Sequence, residues 1–195
     1  MDSIVDELLD LILGHTLVIP DSEFSRLSTC VFARLDARFA SSSSMLLVCK
    51  RWLRVATPLL YGTVVVRSVG QAHALADAFT MNPPFARYVR RLRIEGAWDG
   101  LGTILKSCTR IRVLFLALHI WSNDSVTGLC SGLSQINPAH VIICDEHALL
   151  NAKLRKVVTA LGDAIPKWTN LVCNILSPLA YGLRQVSRHD FVSPL

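Results

Sequence analysis

Four times between Ala86 and Cys173 the chain repeats one skeleton, Φ-x-x-Φ-x-x-Φ-x-Φ, where Φ is apolar. Ala86, Val89, Leu92 and Ile94 fill it first; Cys108, Ile111, Leu114 and Leu116 fill it next. Ile136, Ala139, Ile142 and Cys144 follow, then Ile165, Trp168, Leu171 and Cys173. The third position advances from 92 to 114, 142 and 171. Each skeleton ends in a β-prone run, "YVRRLRIEG", "RVLFLALHI", "HVIICD" or "NLVCNIL", and "TVVVRS" precedes them all. Helix-prone stretches separate the runs: "QAHALADAF", "LGTILKS", "SVTGLCSGL" and "LLNAKLRKVVTALGDAI". A chain that alternates strand and helix in this way must pair its strands in parallel. The fold class is therefore α/β, as a stacked strand–helix array or as an ordinary α/β domain.

Spacings in the twenties resemble those of divergent leucine-rich repeats, in which one strand and one helix form each turn of a solenoid. "CTRIRVLFL" is the most similar, its cysteine suited to the inner spine. A short array of this kind is expected over 63–176, with "LSPLAYGLRQVSRHDFVSPL" forming a tail over 177–195. A solenoid needs a polar cap on its last repeat, and that tail does not read as one. The expectation is a shortened array whose last repeat exposes its interface and promotes aggregation.

The first 62 residues have a different, helical texture. In "DSIVDELLDLILGH", Val5, Leu8, Leu9 and Ile12 recur at i, i+3, i+4 and i+7, with Asp6, Glu7 and Asp10 opposite. Ser3 and Asp6 have capping-box spacing, and Gly14 is placed to end the helix. Phe24, Leu27, Val31, Leu35 and Phe39 suggest a second helix over 22–39, before the serines at 41–44. A third helix is expected from Met45 to Ala56, N-capped by Ser44 and stopped by Pro58. Lys50, Arg51 and Arg54 form its narrow polar face; the rest of its arc is apolar and wide enough for two neighbours.

"IVDELLDLIL", "LLVCKRWLRVA" and "PLLYG" together resemble an F-box of the type found in mushroom-forming (basidiomycete) fungi. Glu7, Leu8 and Ile12 match the opening motif. Val48, Cys49, Lys50, Arg51 and Trp52 match the Val-Cys-Lys-x-Trp helix, and Leu60 and Tyr61 match the tail. Val5 stands where the family usually has proline, and an insertion over about 14–44 separates the motifs. The resemblance implies an F-box over 1–62 that binds a Skp-type adaptor, and through it a cullin. It further implies a non-catalytic substrate-receptor subunit of an SCF-type ubiquitin ligase, with the repeats holding an unnamed protein target. Residues implied at the adaptor are Ile4, Leu8, Leu9, Ile12, Val48, Trp52, Leu53, Leu59, Leu60 and Tyr61. The alternative is an interaction scaffold whose F-box-like helices recruit no ligase.

Composition narrows the remaining classes. The chain is 51% hydrophobic with mean hydropathy +0.41, yet no apolar run reaches the roughly 18–20 residues of a membrane span. An acidic N-terminus lacks the basic region of a secretory signal, so cytoplasm or nucleus is expected. Six cysteines without a C-x-x-C pair suggest reduced, small core residues. The net charge is +5, and the basic residues form two clusters, Lys50/Arg51/Arg54 and Arg87/Arg90/Arg91/Arg93. Without interleaved aromatics or a duplex-reading motif, these read as solvated faces in preference to a nucleic-acid site. No catalytic motif is present, the six histidines stand apart, and "CDEHALL" reads as a strand end with a solvated turn. No enzyme, cofactor or metal is expected.

Overall fold

A computed structural model describes residues 4–25, 46–144 and 151–176. The chain divides between Val64 and Val65 into two compact units.

In the first unit, α1 (Asp6–Leu17), the single turn α2 (Asp21–Phe24) and α3 (Lys50–Gly62) are helical. Leu9, Leu13 and Leu17, at i, i+4 and i+8, pack with Ala56, and Leu46, Trp52, Val55 and Leu59 lie against them. The buried stripe is thus rotated from the expected one. Val5, Leu8 and Ile12 are exposed, and only Leu9 of that set turns inward. Helix α1 also begins and ends elsewhere than expected: Val5 is its N-cap, with no side-chain bond. Gly14 lies inside the helix, its carbonyl accepting the Val18 N–H at 3.0 Å. An interior glycine costs about 1 kcal/mol relative to alanine, but stopping there would lose buried Leu17.

Helix α3 starts at Lys50, with Cys49 as N-cap, and continues through Pro58. Proline within a helix costs about 3 kcal/mol. Here Ala56 and Leu59, on either side of it, are held against α1, so tertiary packing carries the helix past the break. Thr57 Oγ1 donates to the Leu53 carbonyl at 2.6 Å in the same turn. The expected helix over 22–39, apart from Asp21–Phe24, and the Ser3 and Ser44 caps lie outside the described residues.

The second unit is α/β, as its alternating pattern predicts. After β1 (Thr63–Val66) come α4 (Val69–Met81), the short α5 (Pro83–Ala86) and β2 (Arg91–Ile94). Then follow α6 (Leu101–Ser107), β3 (Val113–Ala117), α7 (Thr127–Leu133) and β4 (His140–Cys144). Helix α8 (Ala152–Ala164), a 3-10 turn (Ile165–Lys167) and β5 (Cys173–Leu176) complete it. The sheet order is β1-β2-β3-β4-β5, and β2 to β5 pair in parallel. Helices α4, α6, α7 and α8 contact one another in the same sequence. Such nearest-neighbour packing is what a stacked array produces.

Close stacking of α6 on α7 depends on two glycines. A Cβ on Gly102 would lie 3.1 Å from Gly128 Cα, and one on Gly128 would lie 3.0 Å from Gly102 N. Gly100 opens α6 at φ 92°, in the left-handed region that favours glycine. Asn151 caps α8 by accepting from Leu154 N at 2.8 Å, while its amide donates to the Ile120 carbonyl at 2.7 Å.

Register corrects the sequence skeleton. Leu92 pairs with Leu114 and Ile94 with Leu116, as the first two skeletons require. Leu114 then pairs with Val141, not Ile142, and Val141 with Asn174 in place of Leu171. A slip of one residue moves a side chain to the other sheet face, so Ile142 sits on the face of Phe115. That second face is covered too. Arg93, Phe115 and Ile142 are all buried, as befits a parallel sheet enclosed on both sides. Of the solvated face expected at 87–93, Arg87 is exposed and Arg90 and Arg91 are half-buried, but Arg93 has no exposed surface and is corrected to a core residue.

Candidate interaction surface

The first unit presents an apolar surface built by the rotation of α1. Once Leu9, Leu13 and Leu17 face α3, Ile4, Leu8, Leu11 and Ile12 must share the opposite face. Each of those four is more than half exposed. Val5 and, ahead of α3, Leu47 and Val48 are exposed as well, and Leu53 continues them at 47%. Scattered exposed aliphatics are ordinary, but so many large ones on a single helix pair make this unit's candidate interaction surface.

Charge fixes how the two helices meet. Asp6, on the inner side of α1, accepts from Arg51 Nε at 2.7 Å and from Arg54 Nη2. The Arg51 guanidinium also donates to the Ile4 carbonyl. These bonds bring the start of α3 to the start of α1, so exposed Val48 lies at the same end as exposed Ile4 and Val5. They also satisfy two cations near a helix N-terminus, where the macrodipole disfavours them. The hydrogen bonds from Arg51 and then Arg54 hold the Asp6 carboxyl below its ordinary pKa of 3.8.

The residues singled out in the sequence therefore separate into groups. Ile4, Leu8, Ile12, Val48 and Leu53 are exposed. Leu9 is 2% exposed and belongs to the core, not to any open surface. Trp52 and Leu59 are half-buried against that core. Leu60 and Tyr61 are half-buried, and burial pushes the Tyr61 phenol pKa up. Leu11, the most exposed aliphatic of α1 at 61%, was not singled out. Its signal was present: it stands at i+3 from Leu8 on the wheel position between Ile4 and Asp10.

No group of three His, Cys, Asp or Glu side chains converges to hold a metal among the described residues. Cys49, Cys108, Cys130 and Cys144 are in no disulfide. Of "CDEHALL", Cys144 is buried at the end of β4, and the remaining residues lie outside the described ones. No described helix is long and apolar enough to cross a membrane. Neither a protein-family model, nor a curated protein, nor a solved structure matches the chain.

Proposed function

We propose that this chain is a non-catalytic substrate receptor of an SCF-type cullin–RING ubiquitin ligase. Its first unit is an F-box that docks a Skp-type adaptor. Its second is a divergent leucine-rich-repeat array that holds a protein target. The observation that carries the proposal is the uncovered apolar face of α1, continued by Val48 and Leu53 from the Val-Cys-Lys-x-Trp segment. Helical apolar anchors at i, i+4, i+7 and i+8 (Ile4, Leu8, Leu11, Ile12) are the form in which a helix is recognised by a partner's groove. Support also comes from Val5, where the family usually has proline. Its φ of −67° is one that proline adopts, so the departure leaves the turn into α1 compatible with the family's residue. The receptor would do no chemistry. It would raise the effective concentration of target lysines at the ligase.

The test is co-expression with a Skp-type adaptor and affinity capture. Wild type should be captured, and the Leu8→Asp/Ile12→Asp variant should not, while keeping its helical circular dichroism because both side chains are exposed. Capture of both, or of neither from soluble folded protein, would overturn the proposal and leave an interaction scaffold.

A further inference from the structure

One edge of the parallel sheet is basic. The segments that lead into β2, β3, β4 and β5 are 82–90, 108–112, 134–139 and 165–172. They hold Arg87, Arg90, Arg110, Arg112 and Lys167 and no acidic residue. Of the described segments leaving the opposite edge, 67–68 holds Arg67, 95–100 holds Asp99 and the Glu95 that pairs with Arg93, and 118–126 holds Asp124. Helix dipoles account for part of the basic edge, since cations are favoured in a helix's last turn. Lys106 and Lys167 stand in such turns. Arg110 and Arg112 lie beyond the end of α6 and do not.

The arginines are gathered by the ladder itself. Arg90 O accepts from Arg112 N at 2.7 Å and from Val113 N at 3.0 Å, and Arg90 Nη1 donates to Arg110 O at 3.4 Å. Residues 90 and 112 therefore sit on neighbouring rungs, about 5 Å apart. On the next two rungs the equivalent residues are Ala139 and Val172, the latter 78% exposed. Beside them Asn137 donates to Thr169 Oγ1 and accepts from Asn170 N. The positive ground is thus densest over two strands; beyond them Lys167 is the one charged residue in the segments that lead into β4 and β5.

We propose that this edge, centred on Arg90, Arg110 and Arg112, docks an acidic, carboxylate-rich segment of a protein partner. The guanidinium fork matches a carboxylate with two parallel hydrogen bonds. Arginines on neighbouring rungs suit consecutive acidic side chains on one short peptide. Nucleic acid suits it less well, because a duplex presents a charge about every 1.7 Å along its axis and needs a longer basic track. The strand face at Arg93, Phe115 and Ile142 is buried and offers no such surface. The proposal deepens the target-holding half of the proposed function, and its chemistry holds whether or not the first unit recruits a ligase.

The test uses the full chain without any adaptor, so failure here is separate from failure of adaptor capture. Binding of a fluorescein-labelled Glu/Ser peptide is followed by anisotropy, beside a Lys/Ser peptide and a labelled single-stranded and duplex DNA. Wild type should bind the acidic peptide, and Arg110→Glu/Arg112→Glu should weaken it roughly tenfold or more. Arg155→Glu, an exposed change on α8, should leave it unchanged. Both arginines of the double variant are exposed, so its circular dichroism should match wild type; the milder Arg110→Ala/Arg112→Ala pair serves if it does not. Absent binding, equal weakening by Arg155→Glu, or tighter binding of DNA than of the peptide would each overturn the proposal.

Discussion

Arg93 has no exposed surface, and its environment explains how a charge survives there. Its Nε donates to Glu95 Oε1 at 2.6 Å, and its Cζ sits 3.7 Å from the ring centre of Phe115, its cross-strand partner. Burial lowers the guanidinium's pKa, and the Glu95 hydrogen bond opposes that. Glu95 is itself nearly buried, with 8% of its side chain exposed. A buried pair adds little net stability but is damaging to break, because the survivor keeps its charge without a partner. Arg93→Ala should therefore cost about 3–5 kcal/mol in urea unfolding. Arg93→Met with Glu95→Gln should recover most of that loss, since both charges go together. A double variant no more stable than the single one would show that the guanidinium's packing, and not the orphaned carboxylate, carries the effect. The sequence around this residue reads as an outward strand face, because Arg91 and Arg93 alternate with Leu92 and Ile94. Whether that face meets water depends on what covers it, and cover is a non-local property that period-2 patterning does not carry.

Helices and strands were legible wherever their own residues decided them. "LGTILKS" marks α6 to the residue, and each β-prone run contains a strand. Errors arose where two signals competed. In α1 both Val5/Leu8/Leu9/Ile12 and Leu9/Leu13/Leu17 have helical spacing, and the sequence does not say which one meets α3. Asp6 decides it, by pairing with Arg51 and Arg54 some forty-five residues away. The candidate surface inherits the same ambiguity: Leu9 moved inward and Leu11 outward for one reason, the rotation of the helix. In α3, Pro58 was a local stop signal overruled by contacts on both of its sides. At the head of α1 local geometry permits a direct test. Val5 has φ −67° and ψ 154°, and as N-cap its N–H lies outside the helical ladder. Val5→Pro should be tolerated, and should stabilise by about 0.4–1 kcal/mol by restricting the unfolded chain. A drop in the thermal midpoint would mean that the turn into α1 is not the one described.

At the scale of the molecule, strand order followed from alternation alone, because short crossovers leave consecutive strands adjacent. Register did not, since the ladder positions 92, 114, 141 and 174 are unevenly spaced and each uneven insertion permits a slip. The skeleton nevertheless marked mostly buried positions, and Cys108 among them has a consequence for the whole fold. Cys108 is 1% exposed, and burial pushes its thiol up from 9.0 to about 12. The folded state thus holds the proton over a range in which the unfolded state has lost it. Where the folded state binds more protons, stability falls as pH rises. The contribution is fully present below 9 and declines by about 1.4 kcal/mol per pH unit above it, until the folded thiol itself titrates. Asp6 acts at the other limit with the opposite sign: its lowered pKa contributes stability above 3.8 that is lost as pH falls through the folded value. That pair is solvent-exposed, so salt should weaken it. Urea midpoints measured from pH 8 to the alkaline limit would isolate the thiol, with Cys108→Ala as reference. Lysines and tyrosines titrate in both proteins, so only the difference between the two curves reports Cys108. Wild type, more stable at pH 8, should converge on the variant as pH rises. Parallel curves would mean that Cys108 ionises as freely in the folded protein as in the unfolded chain, and that its site is open to water.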